Sequence, residues 1–344
     1  MSITVVLQQM VMIFILIAIG LLLYKKEMLS DITAKQISGI IVNVTNPALL
    51  ICSAFQDGPK VSLPELGIAL GIYLIVYGIL IAAGCLIPRI LRVPDMYHYS
   101  YQMLTIFGNV GFIGIPLASA VLGPESLIFV SIYNLIFNIL IYTFGISLLQ
   151  RAEARQLAAA AEKTTAREQD SDAVCAAPCE AVPPAKTGTE ATPVTTPLWK
   201  KLINAGTISA TATIIFYLGN FRVPVIVSST LTYMGQATTL LSMLVLGASV
   251  AQMAPKDIFS HPKLYGFTLL RQILVPIGCI LLLRPFIHNP LILNTMALML
   301  AVPAANMPLM LSKQLQVETD TISQGIILTT ILSLGTIPVV SLLL

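Results

Sequence analysis

The chain has 344 residues, 56% of them hydrophobic and 10% charged, with a formal net charge of +3. That balance excludes an ordinary soluble domain and indicates a polytopic membrane protein whose first partner is the lipid bilayer. It also excludes a nucleic-acid binder, because the positive excess is small and no basic cluster is interleaved with aromatic residues.

A membrane span needs about 20 apolar residues. Ten segments qualify, at 5–23, 34–55, 65–87, 99–121, 126–149, 199–219, 229–252, 263–284, 291–311 and 321–342. The expected fold is therefore an all-α membrane protein of ten transmembrane helices. The first segment has no basic residue before its apolar run, while Lys25 and Lys26 follow it. It reads as a retained helix, not a signal peptide. The second carries Asn43, Asn46 and Pro47, which kink its outer half. The third is Gly-, Leu- and Ile-rich and shows no chemistry. The fourth brings Gln102 and then TIFGNVGFIGIPL at Thr105–Leu117, where Gly108, Gly111, Gly114 and Pro116 loosen or break the helix. The fifth sets Asn134 and Asn138 on one face, for bonds to a neighbouring helix or to substrate.

Residues 151–198 change character. A helix-forming start gives way to Ala, Pro, Thr and Glu with almost nothing to bury, which predicts a largely disordered cytoplasmic linker. It separates a five-helix half at 1–150 from another at 199–344. An odd number of spans per half forces the second to run inverted, the arrangement of many secondary transporters.

In the second half, the sixth segment is rich in Ser and Thr, and the seventh offers Gly235, Ala237, Ser242, Gly247 and Ala248 for close helix contact. The eighth holds Arg271, roughly 12 Å in from its cytoplasmic end at the standard rise. That arginine either snorkels back to the interface or sets up a positive field that draws an anion inward. The ninth contains LAVPAANMPLML at Leu300–Leu311, broken by Pro303 and Pro308 with Asn306 between them. The tenth holds Thr329, Thr330, Ser333 and Pro338.

The two breaks lie about 190 residues apart, in corresponding positions of the two halves. Paired breaks are the strongest sequence pointer to a transporter's binding site. In lipid, freed backbone groups survive only inside protein or beside a wet cavity. Asn109 and Asn306 offer donors and acceptors there. The substrate-binding set is thus Asn109, Pro116, Pro303, Asn306 and Pro308, with Asn46, Gln102 and Arg271 as further possibilities.

No catalytic triad, metal-ligand cluster or phosphate loop is present, so neither an enzyme nor a cofactor is expected. The five cysteines read as free thiols, Cys175 and Cys179 falling in the linker. His98, His261 and His288 fall at span ends, where solvation is the simplest expectation. Every Asp and Glu falls in a loop, the linker or a span end, which argues against an intramembrane proton relay and against a cationic substrate. Lys and Arg concentrate in one set of loops and the linker, placing both termini outside an inner membrane and the linker in the cytoplasm.

Five stretches carry a family resemblance: Asn46-Pro47-Ala48-Leu49-Leu50, GNVGFIGIPL at 108–117, MGQATTLLSMLVLGASVAQ at 234–252, LLRQILVPI at 269–277, and ETDTISQGIILTTILSLGTIP at 318–338. Together they resemble the auxin efflux carrier family, which includes plant auxin carriers and bacterial malonate or malate permeases. The resemblance implies ten helices in two inverted halves, with helices 4 and 9 crossing at their breaks. It also implies a scaffold of helices 1, 2, 6 and 7, a moving domain of helices 3–5 and 8–10, and a homodimer. Asn109 and Pro116 match the family's first crossover, and Pro303 and Pro308 flank the second. The long cytoplasmic loop of plant members is replaced by a short linker.

The expected function is a secondary transporter that exports a small organic anion by alternating access. The alternatives are a sodium-coupled symporter of the bile-acid type and, in another class, a non-transporting membrane sensor that signals through the linker.

Overall fold

The computed structural model describes residues 3–55, 61–154, 204–219, 221, 223–252, 262–314, 317 and 320–343. The described residues form helices and no strand, and one isolated antiparallel bridge joins Gly108 to Ala304. The helices are α1 (Ile3–Lys25), α2 (Asp31–Ser53), α3 (Leu63–Ile90), α4a (His98–Ile106), α4b (Val110–Leu122), α5 (Pro124–Ala154), α6 (Ala205–Gly219), α7 (Val225–Ala251), α8 (Pro262–Phe286), α9a (Pro290–Ala301), α9b (Met307–Gln314) and α10 (Asp320–Ser341). Seven of them, α1, α2, α3, α5, α7, α8 and α10, are long and apolar enough to cross a membrane. α4b, α6 and α9a are apolar but shorter. The predicted linker lies outside the described residues beyond Ala154, and so do Cys175 and Cys179.

Local chemistry sets where these helices begin. Ser30 Oγ accepts the Thr33 N–H at the start of α2, at 3.2 Å. At α3 the Glu65 carboxylate accepts the Ser62 N–H at 2.9 Å, with Pro64 in the first turn. At α9a, Asn289 Oδ1 accepts the Leu291 N–H at 2.9 Å ahead of Pro290. Each cap satisfies a donor that the first helical turn would leave orphaned.

Four helices contain a π-turn, at Ile41–Thr45, Val110–Gly114, Ile141–Gly145 and Leu270–Leu274. Three of these stand two residues before a proline: Pro47, Pro116 and Pro276. Proline lacks an N–H and crowds the carbonyl four residues back, and the wider turn relieves both problems. Of the two expected effects of Pro116, loosening or breaking, the helix shows the first. Pro116 does not break α4b but rides in a continuous helix. Pro308 likewise sits in the first turn of α9b, where its missing N–H costs nothing.

Packing follows the small residues. α1 lies against α7, and α2 against α6 and α7. At the first contact, a Cβ on Gly247 would strike the Ile17 carbonyl and one on Gly20 would strike the Leu244 backbone. The two helix backbones touch because both positions are glycine. α3 packs on α4a and α5, α8 on α9a and α10, α5 on α6, and α10 on α1. Tyr73 and Tyr77 of α3 meet Tyr133 of α5 with ring centroids 5.4 and 4.9 Å apart.

Outward faces stay apolar. Ile15 on α1 is 56% exposed, and Val225 and Ile226 on α7 are 77% and 80% exposed. Such surface would be a liability in water but is matched to hydrocarbon.

Two expectations change here. Asn138 Nδ2 donates to the Asn134 carbonyl at 2.8 Å, so this bond stays within α5, while Gly206 of α6 packs against the Asn138 amide. The His98 ring nitrogen is hydrogen-bonded to the Val93 carbonyl at 2.8 Å and stands 3.5 Å from Asp95, so it organises a helix start and is not merely solvated.

Candidate functional site: the crossing of the broken helices

α4 unwinds over Phe107–Asn109 and α9 over Val302–Asn306, and the two unwound stretches pair with one another. The Asn109 N–H donates to the Pro303 carbonyl at 2.7 Å, and the Ala305 N–H donates to the Phe107 carbonyl at 2.9 Å. Backbone groups freed by one break are thus satisfied by the other, which is how irregular backbone is tolerated at membrane depth.

Asn109 organises the first break. It is 2% exposed, and its Oδ1 accepts the Phe112 N–H at 3.2 Å, capping α4b. Its backbone carbonyl accepts the Ile113 and Gly114 N–H groups. Its Nδ2 is buried and has no hydrogen-bond partner. Asn46 reaches the same turn from α2, donating from Nδ2 to the Gly111 carbonyl at 3.0 Å, and its buried Oδ1 also lacks a partner. A Cβ on Gly111 would stand 3.3 Å from that amide.

The second break is held by α8 and α10. Arg271 Nη1 donates to the Val302 carbonyl. Thr329 Oγ1 accepts the Ala304 N–H at 3.2 Å, and Gln272 Nε2 donates to the Thr329 carbonyl at 2.9 Å. Arg271 is 3% exposed, so it does not snorkel to an interface. The reason is local: the π-turn at Leu270–Leu274 buries Arg271 and Gln272 together on the face that meets the break.

The crossing opens in one direction. Residues 103–110 and 113–118 are buried, with Gly111 and Phe112 partly exposed between them; residues 295–305 are buried and Asn306 and Met307 are partly exposed. The accessible positions are therefore the first turns of α4b and α9b. The positive end of the helix dipole lies at such turns and favours an anion, while the Val110, Phe112, Ile113 and Gly114 N–H groups of α4b are already bonded to Gly108 and Asn109. Among the described residues no Asp or Glu is buried to oppose one.

A family model described as a membrane transport protein matches residues 5–341. The chain belongs to that family. It is a multi-pass membrane transporter and not an enzyme, and the family is the one that includes the auxin efflux carriers its motifs resemble. No curated protein matches the chain.

Within this transporter the crossing gathers Asn109, Pro303, Asn46 and Arg271. Asn306 stands at its edge, half-buried, with its carbonyl accepting the Met310 N–H at 3.1 Å. Gln102 is not brought in: its Nε2 donates to Cys85 Sγ on α3 at 3.4 Å. Gln272 is a crossing residue that sequence reasoning passed over. The signal was a second polar side chain beside Arg271 in an apolar span. Thr329 was visible as polar but not as the acceptor for Ala304. A separate cavity of about 380 Å³ lies between α2 and α7, lined by Cys52, Phe55, Ser228, Ser229, Thr232, Tyr233 and Gln236, and shares no residue with the crossing.

Proposed function

We propose that the protein is a secondary transporter of small organic anions, carboxylates such as malate or malonate, that exports them by alternating access. One observation carries the reading. The only openings in the two crossing segments are the amino-terminal turns of α4b and α9b, beside the buried, unpartnered Nδ2 of Asn109. A carboxylate fits the Asn109 amide and the two positive helix ends without a charge in direct contact, and such dipoles hold it weakly enough for release on the far side.

The pairing of helices supports ten spans in two inverted halves. α1 packs on α7 as α6 packs on α2; α3 packs on α4a as α8 packs on α9a; α3 packs on α5 as α8 packs on α10; and α5 packs on α6 as α10 packs on α1. Tie points at the two ends of the bundle repeat the same exchange. Asn289, before α9a, donates to Glu65 at the start of α3 at 3.0 Å, and Lys263, at the start of α8, donates to the Arg92 carbonyl before α4a. On this reading α1, α2, α6 and α7 form the scaffold, α3–α5 and α8–α10 move, and two chains assemble as a homodimer. Both termini face outward from the inner membrane and the linker is cytoplasmic.

The test is uptake in proteoliposomes against a panel of radiolabelled carboxylates that includes malate, malonate and indole-acetate. Saturable flux of at least one, competed by others, is the expected result. No flux of any carboxylate, with transport of a cation or neutral solute instead, would overturn the assignment.

A further inference from the structure

Two helices broken at one point bring together four ends of opposite character. The amino-terminal ends of α4b and α9b are positive; the carboxyl-terminal ends of α4a and α9a are negative, each with carbonyls that the helix itself leaves unpaired. Side by side in a dry interior, the two carbonyl ends call for a cation. In transporters built on broken helices, such ends are where a coupled sodium ion or proton is held.

Here a side chain already stands there. Arg271 Nη1 donates to the carbonyl of Val302, the extended residue that follows the last turn of α9a. Its Nη2 lies against Gly108 in the other break, 3.0 Å from where a Cβ would be, and the Met299 carbonyl of α9a lies 3.6 Å from the same point. Gly108 is thus the position whose missing side chain lets one guanidinium reach both breaks. Among the described residues Arg271 is the single charged side chain that is buried, and the ion pair found there, His98 with Asp95, lies at a helix end. Among the described residues no buried carboxylate therefore offsets the charge, and the Val302 carbonyl in the second break accepts from it. Its neighbour Gln272 anchors to the Thr329 carbonyl, so the π-turn that carries both is pinned against the crossing.

We propose that Arg271 is a tethered cation for the crossing. Its guanidinium takes the place at the carbonyl ends of the two broken helices where a mobile cation would otherwise be held. It leaves the amino-terminal mouth as an anion site that needs no co-transported sodium. Arg271 is a positioning residue in this scheme, acting on the substrate through the electrostatics of the breaks. The consequence for transport rests on the anion reading given above; the placement of the cation does not.

The test reads thermal unfolding of purified protein at constant ionic strength, with sodium, lithium or choline chloride, and without substrate. The wild type should show the same melting temperature in all three salts. Arg271→Lys, which keeps the charge, should remain close to wild type. Arg271→Gln, which keeps a hydrogen-bond donor but loses the charge, should melt roughly 3–10 °C lower in choline and regain part of that in sodium or lithium. A donor that served only to satisfy the Val302 carbonyl would instead make Gln as good as Lys, with no response to cations, and that result would overturn the proposal. So would a saturable, sodium-specific stabilisation of the wild type, which decides the matter even if neither variant folds. Because no substrate is present, failure here leaves the anion-transporter reading standing, and failure of the uptake panel leaves this one standing.

Discussion

Asn109 does two separable jobs on the proposed reading, and substitutions can divide them. Its Oδ1 caps α4b through the Phe112 N–H, while its Nδ2 is buried and free. Asn109→Ala removes both: loss of the cap costs about 0.5–2 kcal/mol of stability, and loss of a hydrogen bond to a carboxylate costs about 1.5–3 kcal/mol, or roughly ten- to a hundredfold in affinity. Asn109→Ser keeps a capping oxygen but removes the Nδ2 amide, and its shorter hydroxyl, engaged at the cap, does not reach the place of that donor. It should therefore melt close to wild type yet bind substrate roughly ten- to a hundredfold more weakly. Asn109→Asp should also fold, since aspartate is a good cap and suits the positive helix end. It should transport worst of the three, because it sets a negative charge against the anion. The assay is affinity and melting temperature on the same purified variant, using the carboxylate that performs best in the proteoliposome panel. Wild-type affinity in Asn109→Ser would refute the reasoning and leave Asn109 as a cap alone.

Three further outcomes follow. Gly247→Val should drive a side chain into the Ile17 carbonyl and cost about 1–3 kcal/mol or more, seen as lower expression and melting temperature, whereas Gly39→Ala, with nothing within 4 Å, should be tolerated. Gln102→Ala should leave transport within about twofold, because its amide faces Cys85 and not the crossing; a tenfold loss would place it in the pathway. A cysteine introduced at Ser171 should be labelled only from the cytoplasm and one at Gly58 only from outside, and the reverse pattern would overturn the proposed orientation.

Much of the architecture was legible because bilayer thickness and backbone satisfaction leave few solutions. The apolar segments predicted at 34–55, 65–87 and 229–252 return as Asp31–Ser53, Leu63–Ile90 and Val225–Ala251. Both interruptions were legible from glycine and proline, and the pairing of their backbones follows once neither can be left unsatisfied. Which proline breaks a helix was not legible. Pro303 lies in an unwound stretch while Pro116 is absorbed by a π-turn, and that turn depends on Asn109 and Asn46 satisfying its carbonyls and amides from outside the local sequence. The place of Arg271 stayed open between an interface anchor and a field at the cavity for a related reason. Rise per residue gives depth along a helix, but the π-turn at Leu270–Leu274 changes which face the side chain leaves from, and only the tertiary fold says what waits there.

The two breaks are held unequally, and that difference bears on how the proposed site would open. The second is fixed from α8 and α10 by Arg271, Gln272 and Thr329, all buried and bonded to the unwound backbone or to one another's helices. The first receives a single side-chain bond from α2, Asn46 to the Gly111 carbonyl, while its other backbone bonds go to its own turn or to α9. If α4 and α9 travel together with α8 and α10, motion breaks one hydrogen bond at this point and keeps the rest. One such bond contributes about 0.5–1.5 kcal/mol net, small beside the cost of orphaning the crossing itself. The surface along which the moving helices slide should accordingly pass between Asn46 and Gly111, at the mouth where Asn109 carries its free donor. Asn46→Ala would then shift the balance between inward- and outward-open forms while sparing the crossing. Accessibility of a cysteine placed at Met307 to labels applied from each side of the membrane would show that shift, and unchanged labelling with unchanged transport would rule out Asn46 as the latch.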